Sequence, residues 1–208
     1  MNYALRGALH ALTTHIKCSS DKIEKTILGF GLFASVASAA AGAVTGVGPI
    51  AATVVTTACV YAMYYKLAEL TGVKISKNIL KSVASAVLAN LVSNIGVSVL
   101  AAAALSFIPV LGNLSSSTIC AIVQFASVYV SGYVFISTLN ALYEKFGGIS
   151  DLTEEEIKST VAETNSNMNT SEIINEAKKV HKEVKNNKEY SDLSEFETLV
   201  NEAKKDVE

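Results

Sequence analysis

His10, His15 and His181 are the only histidines in the chain, so acid–base or metal chemistry near neutral pH would have to start from them. His10 and His15 are five residues apart, which on a helix places them about 140° apart rather than on one face. His181 lies in a different region of the chain altogether. The three cysteines, Cys18, Cys59 and Cys120, are odd in number, and their spacing fits no metal or redox motif. Cys59 and Cys120 sit in uncharged surroundings and read as small buried hydrophobes. Gly29-Phe30-Gly31-Leu32-Phe33-Ala34 matches the dinucleotide fingerprint on paper, yet no strand precedes it and no βαβ unit surrounds it. The chain has no His-Glu-x-x-His, no Gly-x-Ser-x-Gly and no Gly-Lys-Ser/Thr. An enzyme is therefore not expected, nor are a cofactor or a metal.

Four polar side chains lie where apolar ones dominate: Asn90 and Asn94, four apart and so on one helix face, and Gln124 and Asn140. They would suit either a polar path for an ion or hydrogen bonds between helices. The second reading is preferred, because a relay through a membrane needs a carboxylate, Lys or His, and none is there.

The elements that must carry these residues follow from charge. Among 208 residues only 17% are charged, against about 25% in ordinary soluble chains. Positions 26–65 and 82–143 contain no Asp, Glu, Lys or Arg. Residues 1–149 hold nine Lys/Arg and four Asp/Glu, whereas residues 150–208 hold eight Lys and fifteen Asp/Glu. Such polarity marks two physical environments and argues against disorder in the first 149 residues. It also leaves no basic patch large enough for nucleic acid.

The first uncharged stretch breaks at Gly46-Val47-Gly48-Pro49 and the second at Pro109-Val110-Leu111-Gly112-Asn113. Glycine allows a tight reversal and proline lacks a donor. Gly46, Gly48, Pro49, Pro109 and Gly112 are thus the expected hairpin turns. They divide the region into four apolar segments: residues 27–45, 50–68, 82–107 and 116–143. Each is long enough for the roughly 20 residues that cross a hydrocarbon core. Lipid leaves helices as the natural form. The expected fold is all-α, a helical membrane bundle of two hydrophobic helical hairpins. The alternative is an Ala-rich bundle buried in a water-soluble protein.

Basic residues precede the first segment and occupy the loop between the second and third, at Lys66, Lys74, Lys77 and Lys81; Lys145 follows the fourth. The positive-inside tendency then puts both termini in the cytoplasm, with multi-pass or re-entrant hairpins. Tyr61, Tyr64, Tyr65, Tyr143 and Phe146 cluster at the same ends, as interfacial aromatics do. The four lysines of the loop are expected at the membrane surface, about 1 kcal/mol each. Ala34, Ser38, Gly42 and Gly46, at spacing four, form a small-residue stripe that allows close helix packing, to which Asn90 and Asn94 would add hydrogen bonds. No cleavable signal peptide is expected, because Arg6, His10, His15 and Lys17 interrupt any apolar run.

Residues 1–26 read as an amphipathic N-terminal helix, with Leu5, Leu9, Leu12 and Ile16 on one face, lying on a membrane or on the bundle. Residues 27–146 form the hydrophobic four-helix membrane domain. Residues 147–208 read as a charged, partly flexible helical tail. It opens on a capping box at Thr153 and Glu156, has a polar linker over 164–170, and shows a second capping box at Ser194 and Glu197. Its apolar stripes, Ile173–Ala177–Val180–Val184 and Phe196–Leu199–Val200–Ala203–Val207, suit either a solvated tail or a module docking in a partner's groove.

Val47-Gly48-Pro49-Ile50, Tyr61-Ala62-Met63-Tyr64-Tyr65-Lys66-Leu67-Ala68 and Thr71-Gly72-Val73-Lys74-Ile75-Ser76 resemble the hydrophobic domain found C-terminal to small GTPases and in YcjF-type inner-membrane proteins. Ile108-Pro109-Val110-Leu111-Gly112 and Tyr143-Glu144 continue the resemblance, which covers about residues 44–145. It implies membrane association beside a GTP-binding partner and supplies no catalytic residues. The leading expectation is a non-enzymatic integral membrane protein, an anchor or docking partner for a GTPase. A pore-forming or channel-like protein and a soluble helical bundle that inserts conditionally are the alternatives. Expected partners are a lipid membrane and, through the tail, a GTPase or other soluble protein. Nucleic acid is not expected, and self-association into a homo-oligomer stays open.

Overall fold

The structure, a computed structural model, describes residues 3–42, 48–89, 116–149 and 152–205, and among them regular structure is entirely helical. In chain order the helices are α1 (Ala4–Leu12), α2 (Ser20–Gly42), α3 (Gly48–Thr71), α4 (helical over 77–89), α5 (Ser116–Phe146), α6 (Glu154–Asn167), α7 (Thr170–Val184) and α8 (Ser194–Lys204). A single 3-10 turn, Lys188–Tyr190, joins the last two. Val54-Val55 and Val128–Val130, the β-branched runs most inclined to extended structure, are helical in α3 and α5. Burial of apolar faces overrides that local preference.

α5 is the central helix: α1, α2, α3, α6 and α7 all pack against it, while α8 lies on α3. Tyr64 of α3 and Tyr129 of α5 are the largest fully buried side chains. The Tyr64 hydroxyl donates to the Ser131 carbonyl at 3.0 Å, which satisfies its polar end inside the core. α1 buries Leu5, Leu9 and Leu12, the stripe that its spacing predicts, against the bundle. Fully burying one leucine is worth about 1.5–3 kcal/mol, enough to hold so short a helix that would be marginal alone.

The C-terminal helices bury the stripes that could have served a partner. Ile173, Ala177, Val180 and Val184 of α7, Ile157 and Val161 of α6, and Val200 and Ala203 of α8 all enter the common core. Ion pairs run from this part of the chain to the earlier helices: Glu189 of the 3-10 turn meets Lys25 of α2 at 3.0 Å, and Glu163 of α6 meets Lys145 of α5. Exposed pairs of this kind add only about 0–1 kcal/mol each, so the buried stripes hold the sheath in place.

Two local expectations for the tail give way. The polar stretch over 164–170 is not a linker: α6 runs to Asn167 and α7 starts at Thr170. Asn169 caps α7 by accepting from the Glu172 amide at 3.3 Å, so its polarity serves a helix start. The capping box at Ser194 is absent too. Leu193 precedes α8, and Asp192 accepts from the Ser194 amide at 2.9 Å in its place. The box at Thr153 and Glu156 forms, with both reciprocal bonds present.

Candidate functional site: a polar clasp beside the uncharged helices

α1 begins without a capping side chain. Tyr3 occupies the N-cap position and offers no acceptor, and the first turn has no acidic residue. Its free amides, partially positive at a helix start, need an anion. Glu176 supplies it from α7. Its carboxylate accepts from the Ala4 amide at 2.7 Å, the Leu5 amide at 3.2 Å and the Tyr129 hydroxyl at 2.5 Å. Glu176 is only 8% exposed, so three donors satisfy a charge that burial would otherwise penalise. The Tyr3 hydroxyl donates to Glu183 at 2.7 Å, about two turns further along the same side of α7. Three elements far apart in sequence thus meet on one carboxylate.

One turn beyond, His181 is buried with its Nε2 3.1 Å from Ser35 Oγ of α2 and its ring 4.9 Å from the Phe125 ring of α5. Desolvation holds its pKa below the ordinary histidine value, and the nearby Lys185 charge adds to the effect. Histidines elsewhere also pack: the His15 ring stacks on Tyr143 at 5.1 Å. All three cysteines are free thiols, and Cys59 is buried. Among the described residues no group of three or more His, Cys, Asp or Glu stands close enough to share a metal ion.

The polar residues of the fourth apolar segment join helices to one another. Gln124 accepts from the Thr56 hydroxyl of α3, and the Asn140 amide donates to the Ala8 carbonyl at the middle of α1, at 2.8 Å. Asn90 and Asn94 lie outside the described residues, as do Gly46, Pro109 and Gly112. Gly48 and Pro49 belong to the first turn of α3, where proline's missing donor is harmless. Ala34 and Ser38 are fully buried on α2, and Gly42 is its last residue. Of the basic loop, Lys66 pairs with Glu69 at 3.3 Å, Lys77 lies over the Tyr65 ring, Lys74 is exposed and Lys81 opens the second turn of α4.

The apparent dinucleotide fingerprint has a packing role. A side chain at Gly29 would meet the Phe196 ring of α8 at 2.0 Å, and one at Gly31 would meet Phe125 at 3.1 Å. Gly132 of α5 plays the same part against Ile27, at 2.8 Å. Glu176 and His181 escape a reading of motifs, since neither belongs to one. The available signal is positional: Glu176 stands three residues from Ile173 and four from Val180, on the edge of a stripe that must be buried.

Helix α5 carries the one span among the described residues, Cys120–Phe146, that is long and apolar enough to cross a membrane, with a mean hydropathy of 1.6 over its best window. No family model, curated protein or solved structure matches the chain.

Proposed function

We propose that this chain is a non-enzymatic membrane protein that anchors or docks a soluble partner. The observation that carries the reading is one-sided charge. In α2, α3 and α5 the charged residues sit at one end, among them Lys22 and Lys25, Lys66 and Glu69, and Glu144 and Lys145. The rest of each helix carries no Asp, Glu, Lys or Arg, and in α5 the span is long and apolar enough to cross a membrane. Charged helices α6, α7 and α8 pack along the bundle from that end as far as Phe125 of α5 and Ser35 of α2, and they offer exposed acidic side chains such as Glu154, Glu155, Glu195 and Glu197 to a partner. This outer face is the docking surface in this reading, since the apolar stripes are engaged within the chain. A GTP-binding protein is the partner that the resemblance at residues 44–145 implies.

A second reading is a bundle that enters membranes conditionally. It is favoured by the burial of 56% of the apolar window of α5 within the protein's own helices. Alkaline carbonate extraction of membranes from expressing cells separates the two. Retention in the pellet supports the integral protein. Release into the supernatant sinks it and leaves conditional insertion.

A further inference from the structure

The covering helices stop at a definite level. Along α5 from its C-terminal end, Lys145 meets Glu163 of α6, Tyr143 meets His15, Asn140 meets α1, Tyr129 meets Glu176 of α7 and Phe125 meets His181. Among the described residues no hydrogen bond, ion pair or ring contact joins the tail to α5 beyond Phe125: Gln124 is met by Thr56 of α3, and residues 120–124 are only half-buried. On α2 the same level falls at Ser35, the partner of His181, and its neighbour Val36 is 60% exposed, a large apolar side chain with no cover.

α7 crosses this boundary with unlike flanks. Glu172, Glu176 and Glu183, at spacings of four and seven, fall on the side that meets Tyr3 and the start of α1. Lys178, Lys182 and Lys185, at spacings of four and three, fall on the other side, next to His181. Lys182 and Lys185 are exposed, Lys178 is half-buried, and none of the three makes an ion pair among the described residues. Glu183, the acid nearest to them on the helix, is held by the Tyr3 hydroxyl on the far flank. The lysine flank therefore edges the level beyond which, among the described residues, the tail no longer covers the uncharged helix.

We propose that the Lys178–Lys182–Lys185 flank of α7 is a lipid-facing edge that binds the headgroups of an anionic bilayer, with the uncharged ends of α2 and α5 entering its near leaflet. The proposal rests on the membrane reading above and names the surface and the lipid charge. Long lysine stems suit it, since they can lie along apolar surface while the ammonium reaches phosphate. Depth fits as well. Described helix continues past the boundary for about 9 Å in α2, from Val36 to Gly42, and about 14 Å in α5, from Phe125 back to Ser116. Half of a hydrocarbon core is about 15 Å.

The test uses the full chain reconstituted with vesicles of phosphatidylcholine alone or of phosphatidylcholine with phosphatidylglycerol. Flotation should be at least about tenfold stronger with the anionic vesicles, from roughly three lysine contacts. The triple variant Lys178→Glu, Lys182→Glu, Lys185→Glu should lose that preference, and the triple change to Arg should keep it. Circular dichroism on each variant separates lost binding from lost folding. In a Cys18→Ser, Cys120→Ser background, a fluorophore on Val36→Cys should be quenched more by spin label near the headgroup than at the acyl-chain end. This second measurement needs no change in the lysines. Equal binding to both vesicle types, or an undiminished preference in the Glu variant, overturns the lysine edge alone. Stronger quenching at the chain end overturns the boundary at Val36. No flotation with either vesicle overturns the membrane reading along with it.

Discussion

The Glu176 carboxylate and the Tyr129 hydroxyl are 2.5 Å apart, and the same carboxylate caps the first two amides of α1. One contact thus couples the N-terminal helix, the central helix and the C-terminal sheath. Glu176→Ala leaves two amides and a hydroxyl buried without an acceptor and should cost about 3 kcal/mol. Tyr129→Phe should cost about 1–2 kcal/mol. The double variant should fall short of the sum by about 1 kcal/mol or more, because both changes remove one bond. Urea unfolding of the four proteins measures this; strict additivity would mean that the bond carries no energy.

His181 makes stability depend on acid. Its folded pKa is held below the ordinary 6.5 by desolvation and by Lys185. Below 6.5 the unfolded chain takes up the proton more readily than the folded one, so stability falls as pH drops from 6.5 through the lowered folded value. Protonation would also put a cation against Ser35 and Phe125 with Lys185 near by. His181→Gln should flatten the part of the pH profile between about 7 and 5. Unfolding midpoints of the two proteins, taken at the same pH values, provide the comparison, and parallel profiles would assign the acid sensitivity elsewhere.

Close packing at glycines gives a graded series. Gly132→Ala directs its methyl at Ile27, a fully buried side chain between α2 and α5. Neither helix can yield cheaply, and a cost of about 2–3 kcal/mol is expected. Gly29→Ala directs its methyl at the far end of the Phe196 ring, which is only half-buried on α8. The ring can swing out, so the cost should be smaller and localised. Limited proteolysis should cut α8 faster in Gly29→Ala, and Phe196→Ala in the same chain should restore the wild-type melting of the remaining helices.

The sequence was most legible where one physical demand acted alone. The 62 uncharged residues from 82 to 143 demand burial or lipid, and helix follows in the described part, α5. Leu5, Leu9 and Leu12 keep the helical period and are buried. Thr153 and Glu156 satisfy each other within four residues, so the cap could be read directly. Legibility failed where the partner is distant. Glu176 joins amides 171 and 172 residues away, and no local pattern shows that α1 lacks a cap of its own. Gly29 and Gly31 were visible as a motif, but the ring that explains Gly29 lies on α8. The Asn-rich stretch before α7 misled because asparagine favours both linkers and caps.

At the start of α8 the two candidate caps differ in a way that stability can read. Asp192 accepts from the Ser194 amide, and hydrogen bonding from the Ser194 side chain first and its amide second holds the Asp192 carboxyl below the usual carboxylate range. Asp192→Ala should therefore loosen α8, whereas Ser194→Ala, which removes the hydroxyl and keeps the amide donor, should loosen it less. Amide hydrogen exchange over 195–204 is the appropriate measurement; faster exchange in Ser194→Ala than in Asp192→Ala would restore serine as the cap.

Removal of residues 151–208 has a different expected outcome from loss of a free tail. It would uncover Phe125 and Tyr129 on α5, the Gly29–Phe30 region of α2 and the face of α3 around Ala62, and it would strip the cap from α1. An apolar surface of that extent is an association site in water. The truncated chain should elute from size-exclusion chromatography in detergent as a broad, high-mass species, and adding residues 151–208 back as a separate chain should sharpen it. If the truncated chain were monodisperse, with α1 still protected from exchange, the sheath would be dispensable to the bundle. The acidic outer face would then be free to leave it for a partner.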